Sequence, residues 1–164
     1  MKRFFVITSC IMLGQAILAQ NDNTQIAGIE KTKQYINNNI VNFKQIEALK
    51  GNTGGYRNAY ARGKELQLVT FCAKDQSISK YVEWYFYNGH MIYAEQNWIN
   101  DTTGVVIDNE KFYLNASHPI AWIQADNTAV DTTTPQFKSM ATQLQAYEKT
   151  LQDRYTAMIN DGNK

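Results

Sequence analysis

The sequence predicts an α+β domain: an antiparallel meander sheet of five or six strands, flanked by an N-terminal and a C-terminal helix. Two periodicities indicate this order of elements. Apolar residues recur every three or four positions in residues 24–49 and again in residues 135–160. Residues 56–123 instead alternate with a period of two and are rich in aromatic and β-branched side chains. We expect both helices to pack on one face of the sheet.

Residues 1–19 have the three parts of a cleavable secretory signal peptide. Two basic residues follow Met1, a mostly apolar run extends from Phe4 to Leu18, and Ala19 supplies the small residue before the cleavage site. A membrane anchor needs about 20 predominantly apolar residues, and this run is shorter and interrupted. We therefore expect a single exported domain, residues 20–164, in the periplasm or outside the cell, with no membrane attachment after cleavage.

The composition of the mature chain limits its partners. Without the two basic residues of the signal, 14 of the 16 basic residues remain against 15 acidic ones, a net charge of −1. This balance argues against a nucleic-acid partner, because phosphate recognition requires clustered cations. Cys10 lies in the signal and loosely resembles a lipid-acceptor cysteine, but the apolar run continues past it. Cys72 is then the only mature cysteine, which excludes an intramolecular disulfide, and we expect it to be a small buried residue.

The first helix is predicted over residues 24–49, where apolar side chains form a stripe at helical spacing. The stripe has one gap, at Lys33, and the run Asn37–Asn39 is a poor helix former. Residues 51–55, Gly-Asn-Thr-Gly-Gly, end the pattern. The stripe consists of Ile26, Ile29, Ile36, Ile40, Phe43 and Ile46.

The clearest turn of the meander is Asn88-Gly89, which separates two strand-like runs, Tyr81–Tyr87 and His90–Gln96. A type I′ hairpin turn needs positive φ at both central residues, and Asn-Gly is the pair that adopts it most readily. Asp108-Asn109 is a candidate for a later turn.

Residues 124–134 form a polar linker rich in Thr, Asp and Asn. The second helix is predicted over residues 135–160, with Thr134 as its N-cap and Pro135 at its first position. Its apolar stripe is expected to cover the sheet; the alternative is a dimerisation or partner helix, because the spacing is close to a heptad. The stripe consists of Phe137, Met140, Leu144, Tyr147, Leu151, Tyr155 and Met158.

Residues 85–93, Tyr-Phe-Tyr-Asn-Gly-His-Met-Ile-Tyr, resemble the strand–turn–strand unit of MORN-like and YwqK-type antitoxin repeat proteins. In those proteins an aromatic strand, a glycine turn and an apolar strand recur, and residues 60–66 resemble a degenerate second copy. The resemblance covers one or two hairpins and implies binding rather than catalysis. The signal style and the Asn-rich composition resemble those of exported Bacteroidota proteins.

The two-residue turn also predicts the register of the hairpin, with Tyr85 opposite Ile92 and Trp84 opposite Tyr93. One face is then apolar. The other is predicted to be an exposed, tyrosine-rich surface that binds a ligand through ring faces and hydroxyls. A solvated face whose tyrosines only pair across strands is the alternative. The candidate binding residues are Tyr81, Glu83, Tyr85, Tyr87 and His90.

Catalytic, metal and cofactor motifs are not found in the sequence. It contains no glycine-rich phosphate loop and no Gly-x-Ser-x-Gly element, and neither His90 nor His118 belongs to a zinc-ligand pattern. Glu83 and Glu95 suggest the carboxylate pair of a glycosidase, but the predicted register places them on opposite faces. We expect no cofactor and no metal.

These observations favour a secreted or periplasmic binding or interaction protein whose partner is a glycan, a peptide or another protein. The alternative is a small enzyme that uses Glu83, His90 and neighbouring tyrosines on the exposed sheet face. A concave sheet lined by tyrosines and closed by a helix would favour an enclosed ligand.

Overall fold

Helix α1 runs from Val6 to Asn39 and is followed by a short 3₁₀ turn, Ile40–Asn42. The computed structural model describes residues 6–52 and 54–161, with side chains from residue 23 onward. The first five residues of the predicted signal peptide lie outside the described residues, as do the side chains of its remainder.

Seven antiparallel strands follow α1, and each pairs with the next one along the chain. The predicted meander is confirmed, with one strand more than the expected five or six. Asn88 and Gly89 have positive φ angles of 51° and 76°, as the predicted turn requires. Asp108-Asn109 lies within a strand rather than at a turn. The strands are β1 (Lys44–Lys50), β2 (Tyr56–Arg62), β3 (Glu65–Asp75), β4 (Ile78–Tyr87), β5 (His90–Asn100), β6 (Val106–Asn115) and β7 (His118–Ile123).

The predicted helix over residues 24–49 is wrong beyond Asn39, because residues 44–50 form β1 at the edge of the sheet. The asparagine run that ends α1 has low helix propensity. After it, backbone pairing with β2 decides the conformation, and such pairing commonly overrides local preference. The additional strand therefore comes from a segment whose short apolar pattern fits a helix as well as a strand.

The C-terminal helix α2, Pro135–Asp161, confirms the prediction over residues 135–160 almost to the residue. The Thr134 hydroxyl accepts a hydrogen bond from the Phe137 N–H at 3.2 Å, which is the expected N-cap. Within the stripe, Tyr147 is 55% exposed, and Glu148 beside it is buried instead.

The two helices cover opposite faces of the sheet, so the prediction that they share one face is wrong. α1 places Ile29 and Ile36 against Tyr85, whereas α2 packs its buried residues against Phe86, the next residue of the same strand. Successive side chains of a strand point to opposite faces. Since both faces of the sheet carry apolar rows, one helix on each side buries more of them than two on one side.

A buried carboxylate fixes α2 to the first two strands. Glu47 of β1 is 5% exposed and accepts hydrogen bonds from Arg57 Nε at 2.8 Å, from Arg154 and from the Tyr155 hydroxyl. Burial alone would raise the pKa of Glu47, but these donors more than offset it and hold the pKa below its ordinary 4.5. Burial and the same carboxylate raise the pKa of Tyr155 to about 12.

The packing of α1 is tested by Ile36→Ala. Ile36 is fully buried, so we expect the free energy of unfolding to fall by about 2–5 kcal/mol in urea or guanidinium melts. Val41→Ala is the matched control, because Val41 is 87% exposed just after α1, and its cost should stay within about 0.5 kcal/mol. Equal losses in the two variants would contradict the placement of α1.

Candidate functional site

A one-residue bulge decides which side chains of the β4–β5 hairpin share a face. Near the turn the predicted register holds, but Ile92 has no partner, and Tyr85 pairs with Tyr93 while Trp84 pairs with Ala94. A bulge moves every following side chain of its strand to the other face. The predicted pairing of Tyr85 with Ile92 and of Trp84 with Tyr93 is therefore wrong.

The same bulge brings Glu83 and Glu95 directly opposite each other on the α1 face. The expectation that these two residues lie on opposite faces is also wrong. Adjacent carboxylates repel each other unless cations or hydrogen-bond donors compensate them. The surroundings of both residues supply such compensation.

Three tyrosines form a buried layer beneath α1. The ring centroids of Tyr85 and Tyr93 are 5.7 Å apart, those of Tyr93 and Tyr113 are 5.1 Å apart, and both pairs meet edge to face. Tyr85 is only 1% exposed, because α1 covers it. The sequence predicts an exposed face here, but this part of it is a second core. The Tyr85 ring is therefore not available for a ligand to stack on.

Each phenol of this layer donates to a carboxylate. Hydroxyl–oxygen distances are 2.7 Å from Tyr85 to Glu83, 2.8 Å from Tyr93 to Glu95 and 2.7 Å from Tyr113 to Glu30 of α1. Burial, followed by the adjacent negative charge, raises the pKa of each tyrosine well above its usual 10. The three hydroxyls therefore stay protonated and act as fixed donors.

Glu95 is the centre of this network. Lys33 of α1 lies 3.0 Å from its Oε2 atom, and Asn109 of β6 donates to its Oε1 atom at 3.0 Å. Lys33 Nζ also lies 4.0 Å from the centroid of the Tyr93 ring. Burial would raise the pKa of Glu95, but the donors Tyr93, Lys33 and Asn109 outweigh burial and lower it. An ionised Glu95 thus holds α1 against the sheet.

The structure separates the predicted site residues into two groups. Tyr81 and Glu83 are half-buried on the α1 face beside Tyr85, whereas Tyr87 and His90 lie exposed at the hairpin turn. Five strand positions separate His90 from Glu95, the residue that pairs with Glu83, which is about 16 Å at roughly 3.3 Å per residue. Glu83 and His90 therefore do not lie close enough to act together, although the enzyme alternative requires that they do. Binding by Tyr81 and Glu83 stays a prediction.

His90 instead contacts the β6–β7 turn and α2. Its Nδ1 atom lies 2.9 Å from Ser117 Oγ, and Ser117 donates to the buried Glu148 at 2.7 Å. His90 Nδ1 also lies 3.7 Å from Glu148 Oε1, so one ring nitrogen faces both the hydroxyl and the carboxylate, whereas in a nucleophilic triad the imidazole uses one nitrogen for each group. Glu148 also accepts the Met91 N–H at 3.1 Å, so the cluster links the hairpin, the turn and α2.

A cleft of about 540 Å³ lies between α2 and the sheet; we call it the α2 cleft. Its floor includes Phe71 and Val82, which pair across β3 and β4. Trp84 and Tyr147 form an aromatic wall, with ring centroids 6.3 Å apart. Small-molecule sites of proteins are mostly apolar clefts of about 300–1,000 Å³ with a few polar groups, and the α2 cleft fits that description.

Cationic and amide groups border the α2 cleft. Arg57 is already paired with Glu47, but in the described part of the chain no carboxylate lies within ion-pair distance of Lys80. Lys80 Nζ lies 4.6 Å from the centroid of the Trp98 ring. Gln96 of β5 and Gln143 of α2 add amide groups to the lining.

Sequence analysis does not identify this cleft. It assigns Tyr147 to the core stripe of α2, whereas the structure exposes Tyr147, and the bulge turns Gln96 to the α2 face, where the predicted hairpin register would not place it. No local signal marks the cleft, because a glutamate beside Tyr147 would itself be expected to face solvent, and Glu148 is buried through contacts with the β4–β5 hairpin and the β6–β7 turn.

No protein-family model, curated protein or solved structure matches the chain. The hairpin resemblance to MORN-like and YwqK-type proteins therefore stays a prediction. Among the described residues, no helix has the length and apolar character to cross a membrane. The same residues contain no group of three or more His, Cys, Asp or Glu side chains suited to a metal ion. Cys72 is buried, as expected.

The network under α1 predicts acid sensitivity. Glu95 has a lowered pKa in the folded protein, so it stabilises the fold above its ordinary pKa of 4.5, and this contribution is lost as the pH falls through the folded-state pKa. In Glu95→Gln, the free energy of unfolding should decline less steeply below pH 4.5 than in the wild type.

The exposed Glu65→Gln serves as the control for this measurement, since it removes a carboxylate that takes no part in the hydrogen bonds and the ion pair around Glu95. Chemical melts between pH 3 and pH 7 provide the comparison, using the pH dependence expected from proton linkage. A Glu95→Gln curve parallel to the wild type would mean that Glu95 is not held ionised.

Proposed function

We propose that the protein is an exported binding protein that holds a small amphipathic molecule in the α2 cleft without a cofactor. The observation that carries the proposal is the cleft itself, about 540 Å³ with an aromatic wall and, at its border, a lysine that has no carboxylate within ion-pair distance among the described residues. The tyrosine face offers no comparable space at Tyr85, because α1 fills it.

The lining indicates the chemistry of the ligand. An apolar or aromatic body suits the wall of Trp84 and Tyr147 and the floor of Phe71 and Val82. A carboxylate, sulfonate or phosphate group suits Lys80, because a half-buried lysine with no acidic partner among the described residues gains from a negatively charged ligand. The proposed ligand is therefore an anionic molecule with an aromatic or acyl body.

Export is the second part of the proposal and rests on the N-terminal sequence. Cleavage after Ala19 would retain Ile29, Lys33 and Ile36, which are among the α1 residues that contact the sheet. The docked part of α1 would thus remain in the mature chain.

The α2 cleft is tested with anilinonaphthalene sulfonate, a fluorescent probe that has both an aromatic body and an anionic group. We expect the wild type to bind it and Tyr147→Ala to weaken binding about tenfold, because one wall of the cleft is lost. Lys80→Gln should also weaken binding, and more for the sulfonate than for an uncharged aromatic analogue.

Two controls match these variants. Tyr87→Ala removes a tyrosine of similar exposure, 48% against 55%, at the hairpin turn, and Lys74→Gln removes an exposed lysine outside the cleft. Equal binding by all four variants would assign the probe to another surface and refute the cleft as the site.

Export is tested by N-terminal sequencing of protein recovered from the native host. The expected N-terminus is at or next to Gln20, because signal peptidase cuts after a small residue that follows the apolar run. An intact Met1 in cytoplasmic protein would refute export, and a lipid on Cys10 would make the protein a lipoprotein.

A further inference from the structure

Strand β6 has an open backbone edge over residues 106–110. β5 pairs with β6 from Val106 onward, but β7 pairs only with residues from Lys111 to Asn115. In the ranges that the structure describes, no other backbone segment pairs with the outer side of residues 106–110. On their outer side, residues 106–110 therefore have no partner strand among the described residues, and such an edge is a template for another strand.

Exposed apolar side chains adjoin this edge. Val105, Val106 and Ile107 are 59%, 52% and 52% exposed, and they are consecutive. Ile107 lies at a bulge, because Trp98 pairs with Asp108 and Ile99 with Val106. Contiguous exposed apolar residues beside an unpaired edge are typical of a surface that a partner covers.

The edge is acidic on the α2 face. Asp108 pairs across the strands with Trp98, and Glu110 pairs with Gln96, so both carboxylates lie on that face at alternate positions. The nearest basic residue on the strand, Lys111, points to the opposite face. A strand added here would meet two negative charges on one face and apolar side chains near its end.

We propose that the open edge of β6 binds an extended peptide segment by strand addition, and that the segment carries Lys or Arg at alternate positions together with apolar residues. Main-chain hydrogen bonds to residues 106–110 supply affinity, and cross-strand pairing with Asp108 and Glu110 supplies selectivity. This surface is separate from the α2 cleft, and the inference does not depend on a ligand there.

A second copy of the chain fits this edge poorly. A two-fold antiparallel pair that uses all five residues would place Asp108 opposite Asp108 and bring both copies of Glu110 to the same face. Like charges directly opposite each other destabilise a strand pair. A basic segment replaces this repulsion with attraction, so charge complementarity selects the basic peptide.

The test uses two synthetic peptides, Val-Lys-Thr-Lys-Val-Lys-Val and its counterpart with Glu in place of each Lys, both blocked at the ends. Binding is followed by amide chemical shifts and by hydrogen exchange of residues 106–110. We expect the lysine peptide to bind and to slow exchange at these amides, and the glutamate peptide not to bind.

Asp108→Lys tests the selectivity. Asp108 is exposed, and among the described residues its side chain accepts only the N–H of its neighbour Asn109, so the fold should tolerate the change. The variant should bind the lysine peptide about tenfold more weakly and should gain binding of the glutamate peptide. Glu65→Lys makes the same charge change at the opposite end of the sheet and should leave both results unchanged.

Three outcomes would overturn the proposal. One is the absence of amide chemical-shift changes at residues 106–110 with the lysine peptide at millimolar concentration. The acidic residues would then serve only to keep the edge from pairing with other chains. Another is binding that is indifferent to Asp108→Lys. The third is a concentration-dependent dimer with shifts at residues 106–110, which would assign the edge to a second copy.

Discussion

The unpaired residue Ile92 is the feature on which both faces of the sheet depend. In a regular hairpin, Tyr93 and Glu95 would point toward the apolar face under α2, where the carboxylate would be desolvated without donors. With the bulge, both residues join Tyr85 under α1, and the small Ala94 takes the position on the α2 face. Because the bulge moves Tyr93 to the α1 face, the small Ala94 lines the α2 cleft in its place and leaves room there. A single inserted residue thus supports the network on one face and the cleft on the other.

Each helix is held to the sheet by a carboxylate that a strand provides. Glu95 of β5 binds Lys33 of α1, and Glu47 of β1 binds Arg154 of α2. Apolar packing is non-directional and would allow a helix to shift along its stripe. A carboxylate with several donors accepts them only from particular directions, so each ion pair defines where its helix sits. The ion pairs are therefore best understood as positioning contacts on top of the apolar cores.

Features that depend on neighbouring residues could be predicted from the sequence, and features that depend on distant pairing could not. The Asn88-Gly89 turn, the N-cap of α2 and the alternation of the meander each follow from a few adjacent residues. The bulge at Ile92 leaves no local mark, because it is a property of pairing between two strands. Residues 44–50 form a strand because they pair with β2. The two helices lie on opposite faces because each face of the sheet has an apolar core to be covered. The run of tyrosines is visible in the sequence, but their burial under α1 follows from the side on which that helix packs.

The two proposed sites share one hydrogen bond. Gln96 lines the α2 cleft and donates to Glu110, which lies on the open edge of β6. If both proposals hold, a basic strand that recruits Glu110 would compete with Gln96 for the carboxylate and would free the amide to face a ligand in the cleft. By linkage, a ligand that engages the Gln96 amide would leave Glu110 free for the strand, and the two effects on affinity would be equal. The bulge is again the origin of this connection, because without it Gln96 would point toward α1 and would not reach the cleft.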